Sequence, residues 1–417
     1  MTDPAPWNAL DASRWQALAE EFGTPFFLFD ADAVAQRVRM VREAVGGLAG
    51  IYYAVKANPN LGLLKAVRDT VDGVDISSGG EQVQATLAGY APEQMSFAGP
   101  AKTDAELGAA VAAGVGCISV ESMREIDACA RQAERLGKPA QILLRVNPNQ
   151  VHRSYGLKMG GRAVQFGIDE DALPEAERRV LAHGKHLVCR GLHSYVGSQC
   201  FDVAGVLEAT RNALRMAQAF EARTGLICRK LNLGGGFGVA QSGERRELQL
   251  TELAPELRLM LGSFRSSRPG CEVFFELGRY ITAQAGIYVT RVVDAKSSRE
   301  TRYLVCDGGL NHQLAAAGTF GAALRSNFPL LNLSRPEAEP AVFNVAGPSC
   351  NPTDLLGIQA QLPAAQAGDL LGVAMSGSYG LTASPLLFLG RDTPVELVLC
   401  NGRVEIGRRR HTLAEFN

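Results

Sequence analysis

Through its first two-thirds the chain alternates short apolar runs with longer stretches of helical periodicity. The runs predict eight strands, at Ile51–Val55, Val74–Ser77, Met95–Gly99, Cys117–Val120, Ile142–Asn147, Val188–Val196, Arg229–Leu233 and Val273–Glu276. The first five begin about 22 residues apart, which is room for one strand and one helix each. Gly80–Ala88, Ala105–Ala113 and Ser122–Leu136 carry the helical pattern between them. Eight such units in about 230 residues argue for an α/β chain closed into a (β/α)8 TIM barrel rather than an open sheet. The longest interruption, Pro148–Phe166, is rich in Gly, Lys and Arg and reads as a long loop at the barrel mouth. After about residue 284 the pattern changes. Gly286–Val293, Arg302–Cys306, Val342–Ala346, Leu370–Ala374 and Val395–Leu399 are strand-like and separated by Gly, Pro, Asn and Asp clusters, which predicts an antiparallel β domain. Phe26–Asp30 is placed to join that sheet. The expected division is a barrel over 30–283 and a β domain over 284–417, with 1–29 contributing to the latter.

A chain of 417 residues is long for one ordinary compact domain and suits this division. The net charge of −1 gives no sign of a nucleic-acid partner or an anionic membrane surface. No basic start precedes an apolar run at the N-terminus, and no apolar stretch is long enough to span a bilayer. Nine dispersed cysteines without a C-x-x-C pair read as reduced thiols of a cytoplasmic protein, mostly buried. The histidines show no metal-ligand spacing, so no metal is expected. There is also no P-loop, no acidic residue suitably placed after a G-x-G-x-x-G, and no G-x-S-x-G elbow.

Barrel enzymes do their chemistry at the C-terminal ends of the strands, and there this chain concentrates polar residues. Lys56 follows the first predicted strand, Asp75 and Ser77 end the second, Glu121 the fourth, and Arg145 lies in the fifth. His193, Tyr195 and Ser198 end the sixth, Gly234, Gly235 and Gly236 follow the seventh, and Glu276 and Arg279 end the eighth. Each has two readings. Lys56 is either a lysine snorkelling at the barrel end or an amine whose pKa falls in an enclosed site, suited to a Schiff base. The glycines form either a tight turn or a backbone cradle for a phosphate. Glu276 and Arg279 are a salt bridge, or a carboxylate for a protonated heterocycle nitrogen beside a cation for an anionic group. Cys350 is a buried thiol or an exposed proton donor. Tyr379, between glycines, is packing or a hydroxyl reaching a phosphate.

The ordered motifs Y-Y-A-V-K-A-N, D-I-S-S-G-G-E, L-L-R-V-N-P, G-L-H-S-Y-V-G-S-Q, L-N-L-G-G-G-F-G, F-E-L-G-R-Y, C-D-G-G-L, G-P-S-C and S-G-S-Y-G run from Tyr52 to Gly380, within a match that extends from about Thr24 to Leu399. In this order they resemble the pyridoxal-phosphate-dependent decarboxylases of the alanine-racemase fold type, the group of diaminopimelate and ornithine decarboxylases. The resemblance implies decarboxylation of an α-amino acid on pyridoxal 5′-phosphate, with Lys56 holding the cofactor as a Schiff base and Glu276 pairing with the pyridinium nitrogen. Ser198, the Gly234–Gly236 backbone and Tyr379 would bind the phosphate. Asp75 and His193 would lie about the cofactor, and Arg145 near its phenolic oxygen. Arg279 and Arg325 would meet phosphate or a substrate carboxylate. Cys350 would come from the partner subunit of a homodimer and return a proton to the substrate.

Two positions depart from the family. Tyr195 stands where members commonly stack a histidine on the cofactor ring, and Asn351 stands where the two named enzymes carry an acid for the substrate's distal ammonium. A charge-assisted bond is roughly twice as strong as a neutral one, so Asn351 speaks against an ordinary free diamino acid. Y-G-L-K-M-G-G-R-A-V-Q-F-G-I-D-E and S-G-S-Y-G-L-T-A-S-P-L-L-F-L-G are similar to a specialised biosynthetic branch that includes enzymes acting on aminoacyl groups tethered to carrier proteins. The rival readings are an amino-acid racemase of the same fold, which would favour an arginine at the ring nitrogen, a non-catalytic homologue that binds the cofactor, and a barrel hydrolase pairing Glu121 with Glu276.

Overall fold

The computed structural model describes residues 10–241, 246–318 and 326–416. Eight parallel strands, Gly50–Ala54, Gly73–Ile76, Met95–Phe97, Cys117–Val120, Ala140–Asn147, Leu187–Ser194, Lys230–Asn232 and Glu272–Leu277, pair in chain order. The last returns to the first with Glu276 opposite Tyr52, closing the barrel. All eight lie within a residue or two of their predicted positions, because a parallel strand buried on both faces is a short apolar block set off by helix caps and turns. Ser78, Thr103 and Ser122 each cap the following helix by accepting from a backbone N–H three residues on.

Alternate residues of these strands face helices or the barrel interior. Ile51, Tyr53, Val74, Ile76, Ile118, Val120, Leu144, Leu192, Leu231 and Phe275 belong to the continuous core under the helices. The interior has two storeys. In the lower one Tyr52 stacks on Phe274 at 4.1 Å, with Cys117 and Leu143 in the same cluster. Buried Lys230 closes this floor, its Nζ 3.0 Å from Glu272 and donating to the Tyr52 hydroxyl at 3.2 Å. Gly73 leaves room for that floor, since a Cβ there would stand 2.7 Å from the Tyr52 ring. The upper storey, one strand period further on, holds Asp75, Ser119, Arg145, His193, Asn232 and Glu276, all buried and all polar.

The second sheet runs Leu355–Pro363, Pro340–Ala346, Thr301–Cys306, Gly286–Ser298, Phe26–Asp30, Val395–Cys400, Arg403–Arg408, with Leu370–Val373 joining Gly286–Ser298 and Leu330–Asn332. It is mixed rather than wholly antiparallel. Phe26–Asp30 lies antiparallel to Gly286–Ser298 and parallel to Val395–Cys400, and Thr301–Cys306 is parallel to Pro340–Ala346. Local alternation specifies a strand; the direction of its neighbour follows from how the chain returns, which the pattern does not carry. The expected loop 148–166 also contains a strand, Tyr155–Lys158, paired with Gly197–Cys200. Arg325 lies outside the described residues.

His312 ties this sheet to neighbouring loops, with Nδ1 3.1 Å from the Tyr288 hydroxyl and Nε2 3.1 Å from the Asp392 carbonyl oxygen. Burial pulls its pKa from 6.5 down to about 4, against a raising contribution from the Asp392 carbonyl. Between those values the unfolded chain takes up a proton that the folded chain refuses. Stability is therefore complete above about pH 6.5 and lost as pH falls toward 4, by on the order of 3 kcal/mol. Thermal melts across this window should show the decline, and His312→Gln should flatten it while lowering the melting point at neutral pH.

Candidate active site

Lys56 follows the first barrel strand in a single 3-10 turn, which swings its side chain over the upper storey. Its Nζ lies 3.4 Å from Asp75 Oδ2, in a cleft whose walls include Tyr195, Ser198, Gly236, Glu276, Arg279 and Tyr379. Burial alone would lower the pKa of the Lys56 amine, but Asp75 and Glu276 outweigh it and hold the amine above its ordinary value. This corrects the expectation of a lowered pKa: two carboxylates beneath one ammonium favour the charged form.

Those carboxylates are not alike. Burial and the nearby Glu276 charge push Asp75 well up, and its Oδ1 has no hydrogen-bond partner among the described residues. Glu276 is equally buried, yet His193, Lys56 and Asn232 hold it well below the usual carboxylate range. Asn232 donates to Glu276 Oε2 at 2.9 Å, and His193 Nε2 lies 3.5 Å from the same oxygen. The other imidazole nitrogen of His193 meets Ser119 Oγ at 2.9 Å. Burial lowers the His193 pKa. The neutral ring with its proton on Nε2, facing Glu276, and Ser119 donating to Nδ1 suits both neighbours.

Arg145 donates to Glu121 Oε1 at 2.7 Å, and the amides of Gly99 and Gly167 donate to the same carboxylate. Glu121 is thus committed to holding Arg145, which leaves nothing for the paired-carboxylate hydrolase reading. The guanidinium of Arg145 lies 5.9 Å from the Tyr195 ring centroid and Lys56 Nζ lies 5.8 Å from it, so both cations approach that ring. Burial pushes the Tyr195 phenol up to about 12.

The glycine loop is dictated by close packing. A Cβ on Gly235 would stand 2.0 Å from the Glu276 carbonyl oxygen, and one on Gly236 2.0 Å from that of Gly197; Gly234 and Gly236 have φ of +68° and +83°. The Gly234 amide donates to Asn232 Oδ1 at 2.8 Å. The amides of Gly235 and Gly236 donate to no protein acceptor among the described residues. Across the cleft, Tyr379 adopts φ 53° and its amide donates to the Ala57 carbonyl at 2.7 Å, tying its turn to the residue after Lys56. Arg279 lies 4.5 Å from the Tyr379 ring centroid, buried, its Nε without a partner among the described residues.

The sequence model described as pyridoxal-dependent decarboxylase, pyridoxal binding domain, matches residues 31–283. The chain belongs to this family of pyridoxal-dependent decarboxylases. It is 36% identical over 412 residues to an L-glutamyl-[BtrI acyl-carrier protein] decarboxylase of Niallia circulans, covering 97% of this chain and 95% of the relative. It is 30% identical to the diaminopimelate decarboxylase of Aquifex aeolicus, over 94% and 90% of the two chains. The crystal structure of the Helicobacter pylori diaminopimelate decarboxylase complexed with L-lysine superposes with a TM-score of 0.86 at 26% identity, covering 96% of this chain and 98% of that one. The chain is a pyridoxal-phosphate-dependent amino-acid decarboxylase. Among the described residues no helix is long and apolar enough to cross a membrane.

The cleft fits the cofactor of a pyridoxal-dependent decarboxylase. It offers a lysine amine, a buried carboxylate kept ionised, an aromatic wall, the Gly236 backbone, and an arginine whose Nε has no partner among the described residues. Two expected residues stand elsewhere. Cys350 is exposed, and neither it nor Asn351 is among the walls of the Lys56 cleft of its own chain. Both sit in a turn organised by buried Asp354, which accepts from Leu310 N at 2.7 Å and Ser349 N at 3.0 Å. Ser119 and Asn232 were not singled out from the sequence, although each is a lone polar residue between apolar ones in a barrel strand (I-S-V and L-N-L), the same signature that marks Asp75 and Glu276.

Gly235→Ala should push the Glu276 backbone away from its position. Overpacking of this kind costs about 1–3 kcal/mol. The expected outcome is a lower melting temperature together with weaker cofactor binding, checked by differential scanning fluorimetry and a pyridoxal phosphate titration.

Proposed function

We propose that the decarboxylase acts on an aminoacyl group carried on a carrier protein, as a homodimer in which Cys350 of the partner subunit completes each cleft. The observation that carries this reading is Asn351. A neutral carboxamide stands where the free-diamino-acid enzymes of the resemblance have an acid, and its Oδ1 already accepts from the Thr353 amide at 3.0 Å and the Thr353 hydroxyl at 2.9 Å. An unpaired distal ammonium would find no counter-charge there. The similarity to a decarboxylase named for a glutamyl group on an acyl-carrier protein supports the same reading.

Pyridoxal phosphate, when bound, supplies the electron sink for the pair left by departing carbon dioxide. The protein's part is to bind, orient and move protons. Lys56, its Nζ 3.4 Å from Asp75, would hold the cofactor through its amine, and that amine, when not so engaged, could carry a proton. Glu276, fixed by Asn232 and faced by His193, keeps the heterocycle nitrogen protonated. Tyr195, a wall of the cleft, would offer an aromatic surface to the cofactor, and Arg145, clamped by Glu121, would supply a cation nearby. Ser198, the Gly235 and Gly236 amides, Tyr379 and Arg279 take the phosphate. Cys350 of the partner subunit returns the proton to the α-carbon.

The test is a decarboxylation screen of free lysine, ornithine, diaminopimelate and glutamate against a glutamyl thioester on a carrier protein. The carrier-bound substrate should lead in kcat/KM by roughly 10- to 100-fold, the worth of a hydrogen bond to a charged group. Efficient turnover of any free diamino acid would overturn the substrate assignment.

A further inference from the structure

Beside the cleft, Gln199 and Gln241, which the chemistry above does not use, form an arrangement with Arg279. Gln199, on the strand that carries Ser198, has φ +58°. Its amide braces the segment beyond the glycine loop in both senses, accepting from Val239 N at 3.0 Å and donating to Val239 O at 3.2 Å. That brace holds Gln241 against Arg279. Gln199 Nε2 and Arg279 Nη1 both approach Gln241 Oε1, at 3.5 Å and 3.4 Å. Two donors converging on the oxygen fix which way the Gln241 carboxamide faces, and its Nε2 is left buried with no partner among the described residues. Arg279, only 8% exposed, likewise has an Nε with no partner among the described residues. Buried donors without acceptors are costly, and two on touching residues call for one acceptor.

We infer that Gln241 is a ligand-binding residue whose Nε2 acts with Arg279 to bind an oxyanion, brought either by the cofactor's phosphate or by a substrate carboxylate. Gln199 is the positioning residue that keeps Gln241 in place. The inference rests on the assignment of the cleft to the cofactor and does not depend on carrier delivery of the substrate.

Gln241→Leu keeps the bulk and removes the donor. Its apo-protein is titrated with pyridoxal 5′-phosphate and, separately, with pyridoxal, which lacks the phosphate, following the cofactor's absorption. Its holoenzyme is titrated with L-glutamate as a probe carboxylate, following the same band. If the phosphate is the ligand, the Kd for pyridoxal phosphate rises about 10-fold while that for pyridoxal is unchanged. If the carboxylate is the ligand, the glutamate titration weakens by a similar factor and cofactor affinity holds. Gln241→Asn, one methylene shorter, recovers part of whichever affinity is lost. A folded Gln241→Leu protein with all three affinities at wild-type values overturns the inference. Loss of pyridoxal phosphate and pyridoxal binding alike, in a protein with wild-type melting behaviour, would also contradict it, because the effect would not then lie at an oxyanion.

Discussion

Lys56→Arg is expected to fold, to retain a positive charge beside Asp75, and to lose decarboxylation by about 10³-fold or more together with the visible absorption of the bound cofactor. A guanidinium stays protonated in proteins and offers no electron pair to an aldehyde carbon. The substitution therefore separates the electrostatic part of Lys56 from its covalent part. The electrostatic part is substantial, since the amine lies 3.4 Å from Asp75 and its pKa is raised chiefly by Asp75 and Glu276 against the pull of burial. Lys56→Ala removes both parts. Asp75, already pushed up by its own burial, then takes a proton in place of the lost cation, so the protein should remain folded. Carbon dioxide release and a visible spectrum on each variant check the prediction, and a wild-type spectrum in Lys56→Arg would count against it.

A mixture of two inactive variants should recover activity. If Cys350 serves the cleft of the other subunit, Lys56→Ala and Cys350→Ala homodimers each have two broken sites. A heterodimer of them has one site with both defects and one with neither. Random re-assortment in a closed two-fold dimer should restore about a quarter of the wild-type rate. The structure motivates the test: Cys350 is exposed, on a turn pinned by Asp354, and is not a wall of its own chain's cleft. If Cys350 acted within its own subunit, the re-assorted heterodimer would have only broken sites and no activity would return.

Much of the barrel and its active rim was legible in the sequence, for a physical reason. A strand buried on both faces must be apolar, so a single charged or polar residue inside one stands out, as Asp75 does between Val74 and Ile76 and Glu276 between Phe275 and Leu277. Ser119 and Asn232 carry the same mark more quietly. Their roles appear only in three dimensions, where they meet His193 and Glu276 from other strands. For the glycines of 234–236, which the sequence offers as a turn or a cradle, the amides of Gly235 and Gly236 are available to a ligand, while that of Gly234 is held by Asn232. Their first constraint, the approach of the Glu276 and Gly197 carbonyl oxygens to about van der Waals limits, depends on neighbours distant in the chain. Strand direction in the second sheet and the raised pKa of Lys56 were hidden likewise. The first depends on chain return and the second on two carboxylates that the sequence separates by 201 residues, at 75 and 276.

Decarboxylation by this chain depends on covalent attachment of the cofactor at the end of the first barrel strand. Borohydride reduction of the holoenzyme, followed by proteolysis and mass spectrometry, locates that attachment directly. The account predicts a pyridoxyl phosphate adduct on Lys56 and on no other lysine. An adduct on Lys102 or Lys230, or a loaded protein that yields none, would contradict it.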